Sequence, residues 1–538
     1  MYSSPLEVVM VSRRSTSFIA LGAVALLALA GCSGGNSANN GDGSSSGGGS
    51  LVIDTAFSIE TGDPGHTYDP TGNMIAKALY ETLVDFKGSD VSTPVPGLAS
   101  WEQNDGATEF TFTLEGDRVF SDGTPIEAKD VVFTLQRIQG MTEAKPNFLL
   151  GGLTITEVDD KTVTITSETP LLQLPAILAN PALGIVNSDV VIENGGSTDG
   201  SDSAQKFLDG ASAGSGPYVL DTLDLSSQVV LTKNDEYNGD EKAGYDRVVV
   251  RNVSESATQL ANLKGGDSMV AMDLNGDQVA GLGDGVKVDS VPSGQTIFLL
   301  LNQSDAVAGE LANVKIAEAI RYSLDYDALL ELAGAGAVQA TGVIPPGFEG
   351  ALSSGVKPDA AKAKAALAEA GYTGQTLKLQ FPNDYPVGGV EFTPLAERIQ
   401  SQLADAGITV ELAPQPFATE LDAYVNGTEG FGLWFWGPDY ADSANFLPFA
   451  PGLKVGLRAG WAADANPEIA GIAAGAAAAT DAAQRTDAFT SFAEAMQAEG
   501  PFVPLIVPGR NIATADDVTG AVYNSVWEMD IAEINPAG

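Results

Sequence analysis

The chain has 538 residues and a formal net charge of −43, with 70 Asp and Glu residues against 27 Lys and Arg. This acidic excess argues against nucleic acid as a partner, because phosphate binding requires clustered Lys and Arg. The acidic residues are scattered rather than collected in a tail, which is typical of a solvated surface. A preference for cationic ligands is the alternative interpretation.

The N-terminal region carries the signals of an exported protein. Two arginines precede an uncharged apolar run at 18–30, which has about the length of a signal-peptide core and is too short to cross a bilayer of about 30 Å. Small residues then lead into Cys32, the only cysteine, and this order resembles the cleavage box of bacterial lipoproteins. We predict a signal peptide at 1–31 and lipidation of Cys32, with Met1 or Met10 as the start of the precursor.

Only Gly, Ser, Asn, Ala and Asp follow Cys32 as far as residue 50. This composition buries too little apolar surface to fold, so we expect a disordered tether at 32–50 with a root-mean-square reach of about 25 Å. The composition of 51–538 is that of a globular protein. Its length exceeds what one hydrophobic core supports, and we expect two or three subdomains.

Strand and helix signals alternate through the globular part, which predicts an α/β fold. Apolar–polar alternation or continuous apolar runs predict strands at 109–114, 162–166, 295–301, 376–381 and 408–412. Apolar stripes with capping residues predict helices at 315–330, 359–370 and 393–406. The third helix is expected to begin with Thr393 as its N-cap and Pro394 at its first position.

Several short motifs occur in a defined order. They are Tyr80–Val84, Leu98–Trp101, Val119–Phe133, Gly214–Tyr218, Asn234–Tyr237, Ala317–Asp325 and Pro501–Leu505. Together they resemble the signature of the family 5 extracellular solute-binding proteins, which are the binding components of oligopeptide, dipeptide and nickel ABC importers. The joint order of the motifs carries the resemblance, and it covers essentially all of 51–538.

The resemblance implies a two-lobed α/β fold of the periplasmic-binding-protein type (type II), with an extra subdomain in the N-terminal lobe and a ligand cleft between the lobes. Closure of the lobes about a hinge would bury a small ligand. The predicted boundaries are 51–82, 207–300 and 510–538 for lobe I, 83–206 for its extra subdomain, and 301–509 for lobe II.

The resemblance also implies ligand-binding residues. Trp436, Asp439 and Tyr440 fit the Trp-x-x-Asp-Tyr pattern of the oligopeptide binders, in which the aspartate pairs with the α-ammonium group of the ligand and the tryptophan shapes a side-chain pocket. A carboxylate facing an ammonium group gains a charge-assisted hydrogen bond of about 1.5–3 kcal/mol. The alternatives are a turn-capping role for Asp439 and a core position for Trp434 or Trp436.

A second candidate loop, at 63–70, follows the first strand, and the family often places ligand contacts there. Tyr68 is our candidate within it. One departure concerns the dipeptide binders, which hold the ligand carboxylate with an arginine just before the helix predicted at 393–406. Thr393 stands at that place, which speaks against strict dipeptide specificity and is compatible with a longer peptide.

Two further motifs lack the context that their chemistry requires. Gly210–Gly214 matches the nucleophile-elbow pattern Gly-x-Ser-x-Gly, but the sole histidine, His66, precedes it and the flanking sequence is polar. Asp273–Asp277 begins like a calcium loop without the glycine that such a loop needs at its sixth position. We therefore expect no catalysis, no metal and no cofactor.

The resulting hypothesis is a lipid-anchored receptor of an ABC importer that binds peptides, with oligopeptides favoured. The same transport role for another organic solute, such as an oligosaccharide or an opine, is the alternative. An exported peptide hydrolase is the alternative from another class. The expected partners are the solute, the permease and ATPase subunits and the membrane, and we expect a monomer. The expected location is the outer face of the cytoplasmic membrane, on the periplasmic side where an outer membrane exists.

Overall fold

The computed structural model describes residues 48–57, 59–240 and 242–538. The predicted signal peptide, Cys32 and all but the last three residues of the predicted tether lie outside the described residues. The first described strand begins at Ser50.

The strands, in chain order, are β1 (Ser50–Thr55), β2 (Val84–Lys87), β3 (Asp90–Pro96), β4 (Ala99–Gln103), β5 (Glu109–Leu114), β6 (Thr154–Asp159), β7 (Thr162–Thr166), β8 (Tyr218–Asp224), β9 (Gln228–Lys233), β10 (Arg247–Asn252), β11 (Val270–Ala271), β12 (Val286–Pro292), β13 (Thr296–Leu301), β14 (Val338–Gln339), β15 (Leu377–Pro382), β16 (Val410–Gln415), β17 (Phe431–Trp436), β18 (Phe502–Val507), β19 (Gly509–Ala515), β20 (Val518–Thr519), β21 (Tyr523–Asn524), β22 (Glu528–Met529) and β23 (Asn535–Pro536).

The helices are α1 (Pro70–Leu79), α2 (Ala128–Gly140), α3 (Leu174–Leu178), α4 (Ser188–Glu193), α5 (Gln205–Leu208), α6 (Ser256–Gly265), α7 (Gly276–Ala280), α8 (Asp305–Ala308), α9 (Val314–Ser323), α10 (Tyr326–Leu330), α11 (Ala360–Ala370), α12 (Phe392–Asp405), α13 (Phe417–Val425), α14 (Lys454–Arg458), α15 (Pro467–Ala477) and α16 (Ala482–Glu499). Short 3-10 helices lie at Pro64–His66, Lys145–Leu150, Pro181–Leu183, Gly309–Leu311 and Ser443–Phe449.

The core of the first lobe is a seven-stranded sheet, sheet I, with the strand order β12-β19-β11-β1-β10-β9-β8. β1 lies inside it and pairs in parallel with β10 and β11. Leu51 and Ile53 of β1 are fully buried in the apolar cluster that sheet I shares with α1. The sheet therefore joins the start of the globular part to its C-terminal return.

The core of the second lobe is a six-stranded sheet, sheet II, with the order β14-β18-β13-β17-β15-β16. All six residues of β13 are buried, as predicted for a continuously apolar strand covered on both faces. The chain enters sheet II between Pro292 and Thr296, before the predicted lobe boundary at 301, and returns to sheet I between Val507 and Gly509. The full set of domain boundaries stays a prediction.

A third body lies within the segment 83–206. Its four-stranded antiparallel sheet has the order β4-β5-β7-β6, and α2 packs against it through one buried face. The apolar cluster of this segment also takes in Ala441 and Trp527, which come from distant parts of the chain. This sharing of a core brings the segment against both the loop after β17 and the C-terminal return.

The predicted helices need two corrections. The helix predicted at 315–330 is interrupted, because Leu324 is extended and Asp325 caps a new helix, α10. The helix expected to begin at Thr393 begins at Phe392 instead, with Glu391 as its N-cap, so that Thr393 lies inside α12. The helix at 359–370 is confirmed, with Asp359 as its N-cap and Gly371 left-handed at its end.

Candidate functional site

The segment 437–442, which we call the Asp439 loop, follows the end of β17. β17 pairs antiparallel with β13, which places Trp436 opposite Thr296. Gly437 and Pro438 end the strand, because proline has no amide hydrogen with which to continue the ladder. The loop thus starts from a rigid position at the end of a central strand of sheet II.

The carboxylate of Asp439 accepts a hydrogen bond from the hydroxyl of Tyr68, 371 residues away in the chain. Tyr68 lies in the loop between β1 and α1, so the contact joins the two lobes. Burial and the adjacent carboxylate raise the pKa of the Tyr68 phenol, which therefore stays neutral and donates. Two of the predicted ligand residues are thus brought into direct contact.

Burial also raises the pKa of the Asp439 carboxyl, whereas the Tyr68 hydroxyl, the Lys454 ammonium group and the Asn445 side chain each act to lower it. No ion pair within 4 Å involves Asp439 among the described residues. Nor does a backbone amide of those residues donate to its carboxylate. The turn that follows is instead capped by Asp442, which accepts from Ala444 N at 2.8 Å.

The two tryptophans of β17 share a face but differ in their surroundings. Trp434 is 1% exposed, stacks on Tyr424 with ring centroids 4.5 Å apart and donates from Nε1 to Glu429 Oε2 at 2.6 Å. Trp436 is partly exposed, and Lys454 Nζ lies 6.0 Å from its ring centroid. Its Nε1 is buried and has no hydrogen-bond partner among the described residues. Trp434 is therefore a core residue, whereas Trp436 is a partly buried residue that packs against the same apolar cluster and directly precedes the Asp439 loop.

Tyr440, the fourth predicted ligand residue, turns toward the 83–206 segment. It packs as a partly buried side chain against the apolar cluster that contains Ala441 and Trp527. Burial and the nearby carboxylates of Asp442 and Asp439 raise the pKa of its phenol. The structure therefore engages Tyr440 in packing against the 83–206 segment.

An ion-pair network lies beside the loop and was not predicted. The guanidinium group of Arg485 donates to both Asp442 and Glu349, and Glu349 Oε1 also accepts from Thr486 at 2.6 Å. These partners come from three separate stretches of the chain. No motif marks them, because their spacing has no local period.

The C-terminal return also lies close to the Asp439 loop, through Ser525. A Cβ atom on Gly294 would lie 3.2 Å from both Ser525 Cβ and Pro438 Cγ, so these segments meet closely and a larger residue would push its neighbours by a few tenths of an ångström. Asn73 of α1 donates to Val526 O at 3.3 Å. Ser525 Oγ and Asn73 Oδ1, like Thr296 Oγ1 beside Trp436, are buried without a hydrogen-bond partner in the described structure. Such polar atoms are costly unless a ligand or water satisfies them.

Comparison with known proteins decides the family. Residues 93–452 match the family described as bacterial extracellular solute-binding proteins, family 5 Middle. The probable D,D-dipeptide-binding periplasmic protein DdpA of Escherichia coli K12 is 31% identical over 494 residues, which cover 89% of this chain and 92% of that protein. The chain belongs to family 5.

Other matches agree with this family 5 membership. The glutathione-binding protein GsiB of Salmonella paratyphi A is 26% identical, covering 87% of this chain and 91% of that protein. The ABC transporter substrate-binding protein CtaP of Listeria monocytogenes has the same fold, with a TM-score of 0.80 at 18% identity over 91% of this chain and 100% of that one. The fold is thus the expected two-lobed α/β type.

Two observations complete the description of this family 5 protein. Ligand atoms of Asp63, His66 and Asp202 lie within 4.8 Å of one another, but Arg137 donates to Asp63 at 3.0 Å and to Asp202 at 2.7 Å. The guanidinium group thus already pairs with both carboxylates, and the cluster ties the 83–206 segment to the loop of Tyr68. In the described part of the chain, no helix has the length and apolar character needed to cross a bilayer.

Proposed function

We propose that this family 5 protein is the lipid-anchored substrate-binding protein of an ABC importer and that it binds peptides, with oligopeptides favoured, in the cleft between its lobes. It delivers them to a permease driven by separate ATPase subunits and is itself not an enzyme. The observation that carries the ligand class is the Asp439 carboxylate. It is partly buried at the meeting point of the lobes and is hydrogen-bonded without being ion-paired.

The chemistry of this carboxylate suits a cation. Tyr68 donates to Oδ1 of Asp439, and a ligand donor would compete with the nearby Asn445 side chain for the rest of the carboxylate. A peptide α-ammonium group carries the charge that such a carboxylate lacks, and the hydrogen bond between them is strengthened by both charges. Trp436 offers a ring face and a free Nε1 donor, and Ser525 and Thr296 offer hydroxyls to the polar backbone of a peptide.

The relatives support a peptide. The two named above are described as binding a D,D-dipeptide and glutathione, and both compounds contain peptide bonds and a free amino group. Lipidation of Cys32, release of 1–31 and the tether at 32–50 would keep a monomeric receptor at the outer face of the membrane near its permease. Two lipid chains on one cysteine hold a protein at a bilayer, whereas one chain holds it only marginally.

Another organic solute, such as an oligosaccharide or an opine, remains the second candidate for the same transport role. The hydrolase alternative has less support. The hydroxyl of Ser212, its presumed nucleophile, accepts from Leu220 N at 3.1 Å. That bond uses the oxygen in a structural contact, and no histidine accompanies it in the motif.

Calorimetry and thermal shift with a small ligand panel test the proposal. The panel is trialanine, L- and D-dialanine, maltotriose and octopine. We expect the peptides to bind, and at 100 times its Kd a bound peptide should add about 2.7 kcal/mol to the free energy of unfolding. If only maltotriose or octopine binds, the proposed ligand class is that solute and not a peptide. If trialanine is cleaved into fragments in the mixture, the hydrolase hypothesis is favoured instead.

A further inference from the structure

Asn180 of the 83–206 segment contacts the proposed ligand residue through its backbone, whereas Tyr68 contacts its carboxylate. Its Nδ2 donates to the backbone carbonyl of Asp439 at 2.9 Å, across 259 residues of sequence. Its Oδ1 accepts from Ala182 N at 2.9 Å and caps the 3-10 helix Pro181–Leu183. Asn180 is 4% exposed, so both ends of its amide are held in a buried place.

Apolar packing adds to this hydrogen bond. Ala441 is buried in the cluster of the 83–206 segment, and Tyr440 packs against the same cluster. The Asp439 loop is therefore carried by sheet II but held by another part of the molecule. Asn180 fixes the backbone of Asp439, and Tyr68 holds the Asp439 carboxylate. The apolar cluster of the 83–206 segment holds the next two residues, Tyr440 and Ala441.

We propose that Asn180 is a positioning residue for Asp439, and that the 83–206 segment thereby takes part in the selection of ligands with a free ammonium group. This inference rests on the proposed function. A charge-assisted hydrogen bond depends on the direction of the carboxylate, and that direction follows from the backbone position of Asp439. A ligand without an ammonium group gains nothing from this alignment.

The chain offers a matched control. Asn187 is also a buried N-cap of this segment and accepts from Val190 N at 3.2 Å, but its Nδ2 donates to Thr124 and Asp122 at 2.9 and 3.1 Å, within the same segment. Serine caps helices about as well as asparagine. Asn180→Ser therefore keeps the cap but is too short to reach Asp439, and Asn187→Ser makes the same change away from the loop.

The test is calorimetry of trialanine and N-acetyl-trialanine with the full chain, alongside the unfolding midpoint of each variant without ligand. Asn180→Ser should weaken trialanine binding about 3- to 10-fold, which is the effect of losing one neutral hydrogen bond. It should leave N-acetyl-trialanine within twofold and add no loss in the Asp439→Asn background. Asn187→Ser should lower the unfolding midpoint while leaving both affinities within twofold.

Two outcomes would overturn the positioning role while leaving the proposed function intact. One is an equal loss for both peptides in Asn180→Ser, which would make Asn180 purely structural. The other is peptide binding by Asn180→Ser that matches the unchanged protein. Absence of peptide binding by the unchanged protein would instead remove the proposed function and this role together.

Discussion

Two carboxylates flank strand β17, and each lies near one of its tryptophans. Glu429 precedes the strand, is fully buried, accepts from Trp434 and lies against a second buried acid, Glu420. Asp439 follows the strand, reaches the interface between the lobes and accepts from Tyr68. Burial raises the pKa of both carboxyl groups. The neighbour of Glu429 is another acid, whereas the neighbours of Asp439 include a hydroxyl donor and an ammonium group.

The difference shows how surroundings assign roles to the same chemical group. Burial, and the neighbouring Glu420 carboxylate, raise the pKa of Glu429 to about 9, so it is a neutral acid within a core. Tyr68 and Lys454 favour the anionic form of Asp439. Glu429 therefore has a structural role in the core, whereas Asp439 is the carboxylate that can bind a ligand cation.

The largest expected effect concerns Glu429 and pH. Its pKa in the folded state lies above the value of about 4.3 in the unfolded chain, so its contribution is complete below that value and is lost as the pH rises toward 9. Each pH unit in this window removes about 1.4 kcal/mol from the free energy of unfolding. Glu429→Gln imitates the neutral acid and should remove this pH dependence. Between pH 5 and 8, the free energy of unfolding of the variant should fall by about 4 kcal/mol less than that of the unchanged protein.

Urea unfolding of both proteins at pH 5, 6.5 and 8 provides the measurement. The difference between them isolates Glu429 from the many other acids of the chain. Parallel pH profiles would mean that Glu429 is ionised in the folded protein, and the contrast with Asp439 would then disappear.

Asp439→Asn has the next largest effect and acts on binding. The substitution keeps the shape of the side chain and removes the charge opposite the ammonium group. Affinity for trialanine should fall by about 1.5–3 kcal/mol, and affinity for N-acetyl-trialanine should change much less. Asp422→Asn, an exposed position on α13, removes the same charge elsewhere and controls for the net charge of the protein. Equal weakening of both peptides in calorimetry would refute the ammonium contact.

Much of the fold was predictable because it depends on local patterns. The strand β13 and the helix ends at Asp359 and Gly371 each follow from the identity of a few neighbouring residues. The structure confirms the strand and the two helix ends. The break at Leu324 was missed because the apolar stripe continues through it, while the cap at Asp325 interrupts the helix.

The site was predictable only in part. The Trp-x-x-Asp-Tyr pattern directed attention to the Asp439 loop, but no pattern relates Asp439 to Tyr68 or Asn180, which are 371 and 259 residues away. The buried pair of Glu420 and Glu429 was also missed, since a scattered acidic residue is ordinarily a surface residue. Long-range pairing of polar groups depends on the three-dimensional path of the chain. Composition and periodicity carry no information about that path.

The tryptophans of β17 extend the comparison with a smaller effect. Trp434→Phe removes the donor to Glu429 and should lower the free energy of unfolding by about 1–3 kcal/mol, with little change in peptide affinity. Trp436→Phe loses no hydrogen bond of the described structure and should cost less than about 1 kcal/mol of stability, but it should weaken trialanine binding about 2- to 10-fold. Each variant is the control for the other, and reversed results would exchange their roles.

The smallest effect is a shift in the pH dependence of binding. An ammonium ligand needs an ionised Asp439, so affinity should fall as the pH is lowered through the pKa of that carboxyl, which burial places above its ordinary value. The Tyr68 hydroxyl opposes this rise by donating to the anion. Tyr68→Phe should therefore move the acidic loss of trialanine affinity to higher pH while leaving affinity near neutral pH almost unchanged.

Calorimetry from pH 4 to 8 measures this midpoint, with Tyr322→Phe on α9 as the control for loss of a tyrosine hydroxyl elsewhere. A rise in trialanine affinity near neutral pH in Tyr68→Phe would mean that the hydroxyl must leave Asp439 when the peptide binds. The contact between the lobes would then be a substitute for the ligand rather than a part of its site. An upward shift of the midpoint with unchanged affinity near neutral pH would show that Tyr68 and the ammonium group share the carboxylate, and that the cation site is completed by both lobes.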